Sequence, residues 1–140
     1  MALLLAVPLL ASCDAEPADE ATIRICPAHE LEGVWQASQP GDENGSVVKL
    51  EIEGRCSGLD TELTGVVHTA CGRTPCKWPK MPLNPVDGGF EGSVESFAAL
   101  RSARLEQAGL LVRGTFISQF VSGDGRTERG EAMFEREPAR

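Results

Sequence analysis

The chain of 140 residues contains no tyrosine, and its aromatic complement stops at five phenylalanines and two tryptophans. Its core must therefore be filled mainly by Val, Leu, Ile and Phe, with Trp35 or Trp78 as the large anchors. Only His29 and His68 are available as imidazoles for proton transfer near neutral pH. Lysine is confined to Lys49, Lys77 and Lys80, and the formal net charge is -8. Such a balance repels a phosphate backbone, so nucleic acid is excluded as a face-on partner. The apolar run from Ala2 to Ala11, interrupted by Pro8, is too short to carry a helix across about 30 Å of hydrocarbon. Nucleophile elbow, phosphate-binding glycine loop and His-Glu-x-x-His are all missing. Neither catalysis nor a cofactor nor a metal is expected. What is present, 41% hydrophobic and 24% charged residues, suits one packed domain and excludes wholesale disorder.

The apolar run has the length of a signal-peptide core, and small residues follow it. Leu10-Ala11-Ser12-Cys13 resembles the bacterial lipobox, although no basic residue precedes the apolar run. The resemblance implies cleavage before Cys13 and attachment of a diacylglycerol to its thiol. Residues 1–12 are then a lipoprotein signal peptide, 13–24 an acidic tether and 25–140 the domain. The tether carries Asp14, Glu16, Asp19 and Glu20 around Pro17, a solvated composition without apolar periodicity. The expected location is the cell envelope, with the acylated Cys13 held in a lipid bilayer.

Setting Cys13 aside leaves Cys26, Cys56, Cys71 and Cys76, an even number in an exported chain. The short loop Gly72-Arg73-Thr74-Pro75 favours a tight reversal and hence Cys71–Cys76, which leaves Cys26–Cys56. Structural zinc on Cys26, His29, Cys71 and Cys76 is the alternative, but an oxidising compartment consumes thiols first. Asp42-Glu43-Asn44 and Gly123-Asp124-Gly125 read as turns rather than calcium loops.

Apolar segments recur about every ten residues between Gly, Asp, Asn and Pro turns, the rhythm of an all-β sandwich or barrel. Strands are expected over Leu31–Ala37, Ser46–Glu53, Glu62–Ala70, Phe90–Glu95, Ala98–Gln107, Leu110–Phe120 and Arg129–Arg136. Ala99 to Glu106 has helical propensity, yet the turn at Gly109 makes a strand the better reading. Lys77 to Gly89, with Pro79, Pro82 and Pro85, reads as irregular. Seven or eight strands in this length predict a small antiparallel meander closing into a barrel.

Gly33-Val34-Trp35 resembles the Gly-x-Trp signature of lipocalins and related calycin barrels. The resemblance implies that Trp35 plugs the closed end and that Arg136, after Phe134, stacks on it. Val67 to Trp78, with Cys71 and Cys76 four residues apart and Trp two residues beyond, resembles a segment of uncharacterised secreted bacterial domains. This chain lacks the acids of that segment around the second Cys and has Pro79 where Gly is usual.

A non-catalytic binding or adaptor role in the envelope is therefore expected, toward an unknown protein or small ligand. Exposed Trp78, Pro79, Met81 and Pro82 are the expected contact loop. One alternative is a calycin-like barrel holding a small molecule in its mouth. The other is a periplasmic protease inhibitor, since small lipoprotein barrels with Gly-x-Trp resemble bacterial metalloprotease inhibitors; Ala21 to Pro27 would have to enter the protease cleft.

Overall fold

The computed structural model describes residues 25–41, 43–96 and 98–138. Cys13, the tether upstream of Ile25 and the signal segment lie outside these residues. The described chain forms nine strands and no helix: β1 (Gly33–Ala37), β2 (Val47–Ser57), β3 (Asp60–Thr69), β4 (Cys76–Lys77), β5 (Met81–Val86), β6 (Gly89–Ser96), β7 (Ala99–Ala108), β8 (Leu111–Phe120) and β9 (Thr127–Arg136). Their order is β2-β1-β9-β8-β7-β6-β5-β3, and β3 pairs back onto β2. The result is a closed eight-strand antiparallel barrel, with β4 as an extra short strand on β3. This is the expected all-β meander, and it is consistent with a calycin-like small barrel.

Alternation of residue type sets the faces. On β2, Leu50 and Ile52 are buried while Lys49, Glu51 and Glu53 look outward. On β8, Val112, Gly114, Phe116 and Ser118 are buried. The helical propensity of Ala99 to Glu106 loses to pairing: β7 is bonded along its length to β6 and β8. Ala108 faces Leu111 across a two-residue turn, where Gly109 takes the positive φ of 68° that such hairpins require.

Lys77 to Gly89 corrects the sequence expectation, because it is largely strand. Lys77 pairs with His68, whereas Met81 pairs with Gly65, so Val66 and Val67 oppose three residues, Trp78, Pro79 and Lys80. That is a β-bulge. One extra residue shifts the side-chain parity, so Trp78 and Met81, three apart, both face inward. Trp78 is 7% exposed and Met81 fully buried. The expected contact loop is thereby dismantled: Trp78 and Met81 belong to the core, and only Pro79 and Pro82 are exposed. Prolines are tolerated in β5 because its first half pairs only with β3 and its second half only with β6.

Both disulfides have the expected connectivity, Cys26–Cys56 and Cys71–Cys76. With all four sulfurs in bridges, the zinc alternative loses its thiolates. The core is dense. Phe134, Leu31, Leu50, Met81 and Val112 are fully buried, and the void among Leu50, Val67, Met81 and Leu105 is only about 10 Å³. A single water needs about 10–15 Å³, so the barrel's middle is filled by its own side chains.

Candidate functional site

The two ends of the barrel differ. At one end, residues 25–32 enter the fold and seal it. Glu32 N–H donates to His29 C=O at 3.0 Å, and Leu31 N–H donates to His29 Nδ1 at 3.0 Å, which drives Leu31 into the core. Trp35 Nε1 donates to Leu31 C=O at 2.9 Å, holding the indole beneath this plug. Arg136, paired with Trp35 across the β1–β9 ladder, stacks its guanidinium 4.4 Å from the indole centroid. It also donates to Glu32 C=O at 2.6 Å and to Glu30 C=O. Gly33, Trp35 and Arg136 thus form one closure, as the Gly-x-Trp resemblance implies.

The opposite end is open, and the opening extends down the wall. The cause is the length of β1. It has five residues between neighbours of ten and eleven, because Pro40-Gly41 turns the chain away. β1 meets β9 only at Phe134, Glu135 and Arg136, and Ser38 N–H donates once more to Met133 C=O at 2.8 Å. Above that point no described strand pairs with β9 on this side, so Thr127 to Ala132 are held by β8 alone.

A cleft of about 530 Å³ occupies the place where β1 would have continued. One bank is β9, from Glu128 to Ala132; the other is the loop containing Gln39, Glu43, Asn44 and Ser46. The floor is Trp78, Phe116 and Ser118. The loop bank is pinned from behind: Gly45 N–H donates to Ala70 C=O, Ala70 N–H to Ser46 C=O, and Gly72 N–H to Asn44 Oδ1, each at 2.8–2.9 Å. The Cys71–Cys76 bridge closes the loop to which that bank is stitched. Asn44 is thus a turn residue with a structural partner.

Beneath the floor lies a cation. Arg101, inward-facing on β7, donates from Nε to Ser96 Oγ at 2.9 Å and from Nη1 to Ser118 Oγ at 2.8 Å. Its guanidinium lies 5.3 Å from the Trp78 ring and 5.8 Å from Phe120. These contacts lock Trp78 and Ser118, so the floor is preorganised rather than loose.

A second, shallower groove of about 720 Å³ runs over the outer wall of β5 to β9. Most of its charges are paired: Arg104 with Glu91 at 3.1 Å and Glu106 at 2.8 Å, and Arg129 with Glu131 at 3.2 Å, while Arg113 lies among them. The hydrogen bond from Arg104 holds the Glu106 carboxyl below the usual carboxylate range. A solvated face of paired charges fits this wall without any ligand.

The two histidines sit in different surroundings. The His29 ring packs edge-on against Phe90 at 5.1 Å. His68 lies under the outer face of β3, 9% exposed, with Nε2 3.0 Å from Glu51 Oε1 but off the direction of a hydrogen bond. Burial lowers its pKa, against the opposing charge of Glu51.

Sequence reasoning located the Trp35 closure and both bridges, and it missed the cleft. The signal was Pro40-Gly41 directly after a short strand, which ends β1 before its neighbours end. No family model matches the chain, and no curated protein or solved structure matches it either.

Proposed function

We propose that the chain is a lipid-anchored, non-catalytic binding module of the cell envelope. It is tethered through acylated Cys13 and engages a partner protein at the cleft between β9 and the loop over residues 39–46. The observation that carries this reading is the contrast between a filled barrel and an open wall. The interior void is about 10 Å³, whereas pockets for small molecules run to roughly 300–1,000 Å³. The cleft has that size at about 530 Å³, but it is a surface trough with a mixed polar lining. That shape suits a segment of protein better than a small molecule enclosed in a barrel. The inhibitor alternative draws little support from Cys26, which is bonded to Cys56 and 5% exposed, so its segment is tied to the domain.

Photo-cross-linking in the native envelope tests the proposal. A benzophenone amino acid replaces Gln39 on the cleft bank or, as a control, Leu110 at the closed end. A discrete adduct from position 39 alone is expected. Adducts that are absent, or equal from both positions, would overturn the reading. Palmitate-analogue labelling lost in Cys13→Ala is the expected result for the anchor, and equal labelling of both chains would remove it.

A further inference from the structure

We infer that the cleft binds an extended peptide by strand addition to β9, the peptide occupying the position that a longer β1 would fill. This rests on the binding-module reading and names the partner's form. Backbone direction comes first. Ser38 N–H donates to Met133 C=O, and Glu137 N–H donates to Val34 C=O, so odd-numbered residues of β9 turn their peptide groups toward β1. The alternation of an antiparallel ladder carries this along the strand, and the N–H and C=O groups of Arg129 and Glu131 face the cleft. A peptide there meets ladder positions already set by β8.

The side chains say what the peptide carries. Gly130 pairs with Phe116 and shares its face, and a β-carbon built at Gly130 meets nothing within 4 Å. Ala132, also small, lines the same trough. Room is thus left above Phe116 and Trp78 for one apolar side chain of the peptide. Glu128, Arg129 and Glu131 on one bank and Glu43 on the other are the charges of the cleft; Glu128 pairs with Arg126 at 3.2 Å and Glu131 with Arg129 at 3.2 Å, whereas Glu43 has no ion pair among the described residues. With a net charge of -8 on the whole chain, a basic peptide is attracted and an acidic one repelled. The occupant is therefore an extended segment of a partner protein, apolar at one inward position and Lys- or Arg-bearing beside it.

The test uses the full chain with Cys13→Ser, exported so that both disulfides form, and a phage-displayed library of random peptides. Enriched sequences should combine alternate apolar residues with Lys or Arg. A synthetic copy of the winner should slow hydrogen exchange at the Arg129 and Glu131 amides. Arg129→Pro removes a cleft-facing N–H that β8 does not use, and Gly130→Leu fills the trough. Each should weaken binding roughly tenfold or more with unchanged near-ultraviolet circular dichroism. Thr115→Lys on the outer wall should leave affinity alone. No enrichment, protection elsewhere, or full affinity in both cleft variants overturns strand addition, as does a dimer in sedimentation that these variants dissolve. A Gln39 cross-link without amide protection would retain the binding module and remove only the strand mode.

Discussion

A β-carbon at position 33 would stand 2.7 Å from Arg136 Nη1, and the backbone there has a φ of 133°. Both facts demand glycine, which is why Gly-x-Trp and a late Arg form one physical unit rather than three separate preferences. Gly33→Ala should destabilise the fold by about 2–3 kcal/mol, read as a lowered urea midpoint at unchanged slope. Arg136→Lys keeps the charge but loses the planar fork that reaches two carbonyls while lying on Trp35, at a cost of about 1–2 kcal/mol. Equal stability of Arg136→Lys and the parent would show the stacking to be incidental. His68 offers a pH reading. Burial lowers its folded-state pKa below 6.5, so the unfolded chain binds the proton more readily. Stability should fall as pH drops through the ordinary histidine range, and His68→Gln should flatten that slope. Lys49 and Lys77 add to the lowering, and Glu51 opposes it. A parent chain whose urea midpoint is constant from pH 7.5 to about 5.5 would contradict this sign.

At the scale of elements, the readable strands were those with clean period-two alternation, such as Val48 to Glu53 on β2, and the hairpins marked by glycine. The cysteine pairing was readable too, because a short loop ties its own ends and leaves one other pair. Cys26–Cys56, separated by 30 residues, should contribute about 3.5 kcal/mol on the loop-entropy account. The segment around Trp78 was unreadable for a definite reason. Alternation carries information only while the register is constant, and the bulge at Trp78, Pro79 and Lys80 breaks it in the middle of a strand run. Three prolines then hid a strand whose neighbours do not use their missing N–H groups. It is the number of residues in the bulge that matters, more than the proline itself. Pro79→Ala should cost only about 0.4–1 kcal/mol through the unfolded chain. Deleting Pro79 should restore parity and turn either Trp78 or Met81 outward, with a loss above about 4 kcal/mol and a red-shifted tryptophan emission. A deletion variant with native emission and stability would show that the strand slips freely.

At the scale of the whole molecule, the position of Ile25 decides how a tethered barrel would face its membrane. The described chain starts at the sealed end, beside Cys26–Cys56, and the cleft lies at the other end. Eleven residues lie between Cys13 and Ile25, and the twelve steps from Cα to Cα span at most about 43 Å at full extension. The barrel is roughly 25–30 Å from end to end, from ten-residue strands at the tilt of a closed barrel. The sealed end is thus held near an anchored Cys13, while reaching the bilayer with the cleft would require the tether to run the barrel's full height. Surface chemistry agrees. Three strongly exposed large apolar residues, Ile25, Leu59 and Leu110 at 72%, 79% and 93%, lie at the sealed end, against one, Val121 at 77%, at the open end. Asp60 and Asp87, on neighbouring turns, limit any lipid contact to the interface. The acylated chain in vesicles of phosphatidylethanolamine and phosphatidylglycerol should therefore show a dye at Leu110 quenched by brominated lipid more strongly than one at Val121, on the open end. Equal quenching would leave the anchor standing and remove the orientation, whereas no association of the acylated chain with vesicles would remove the anchor itself. In the expected orientation, the free edge of β9 points away from the bilayer, toward whatever extended segment approaches from the aqueous side.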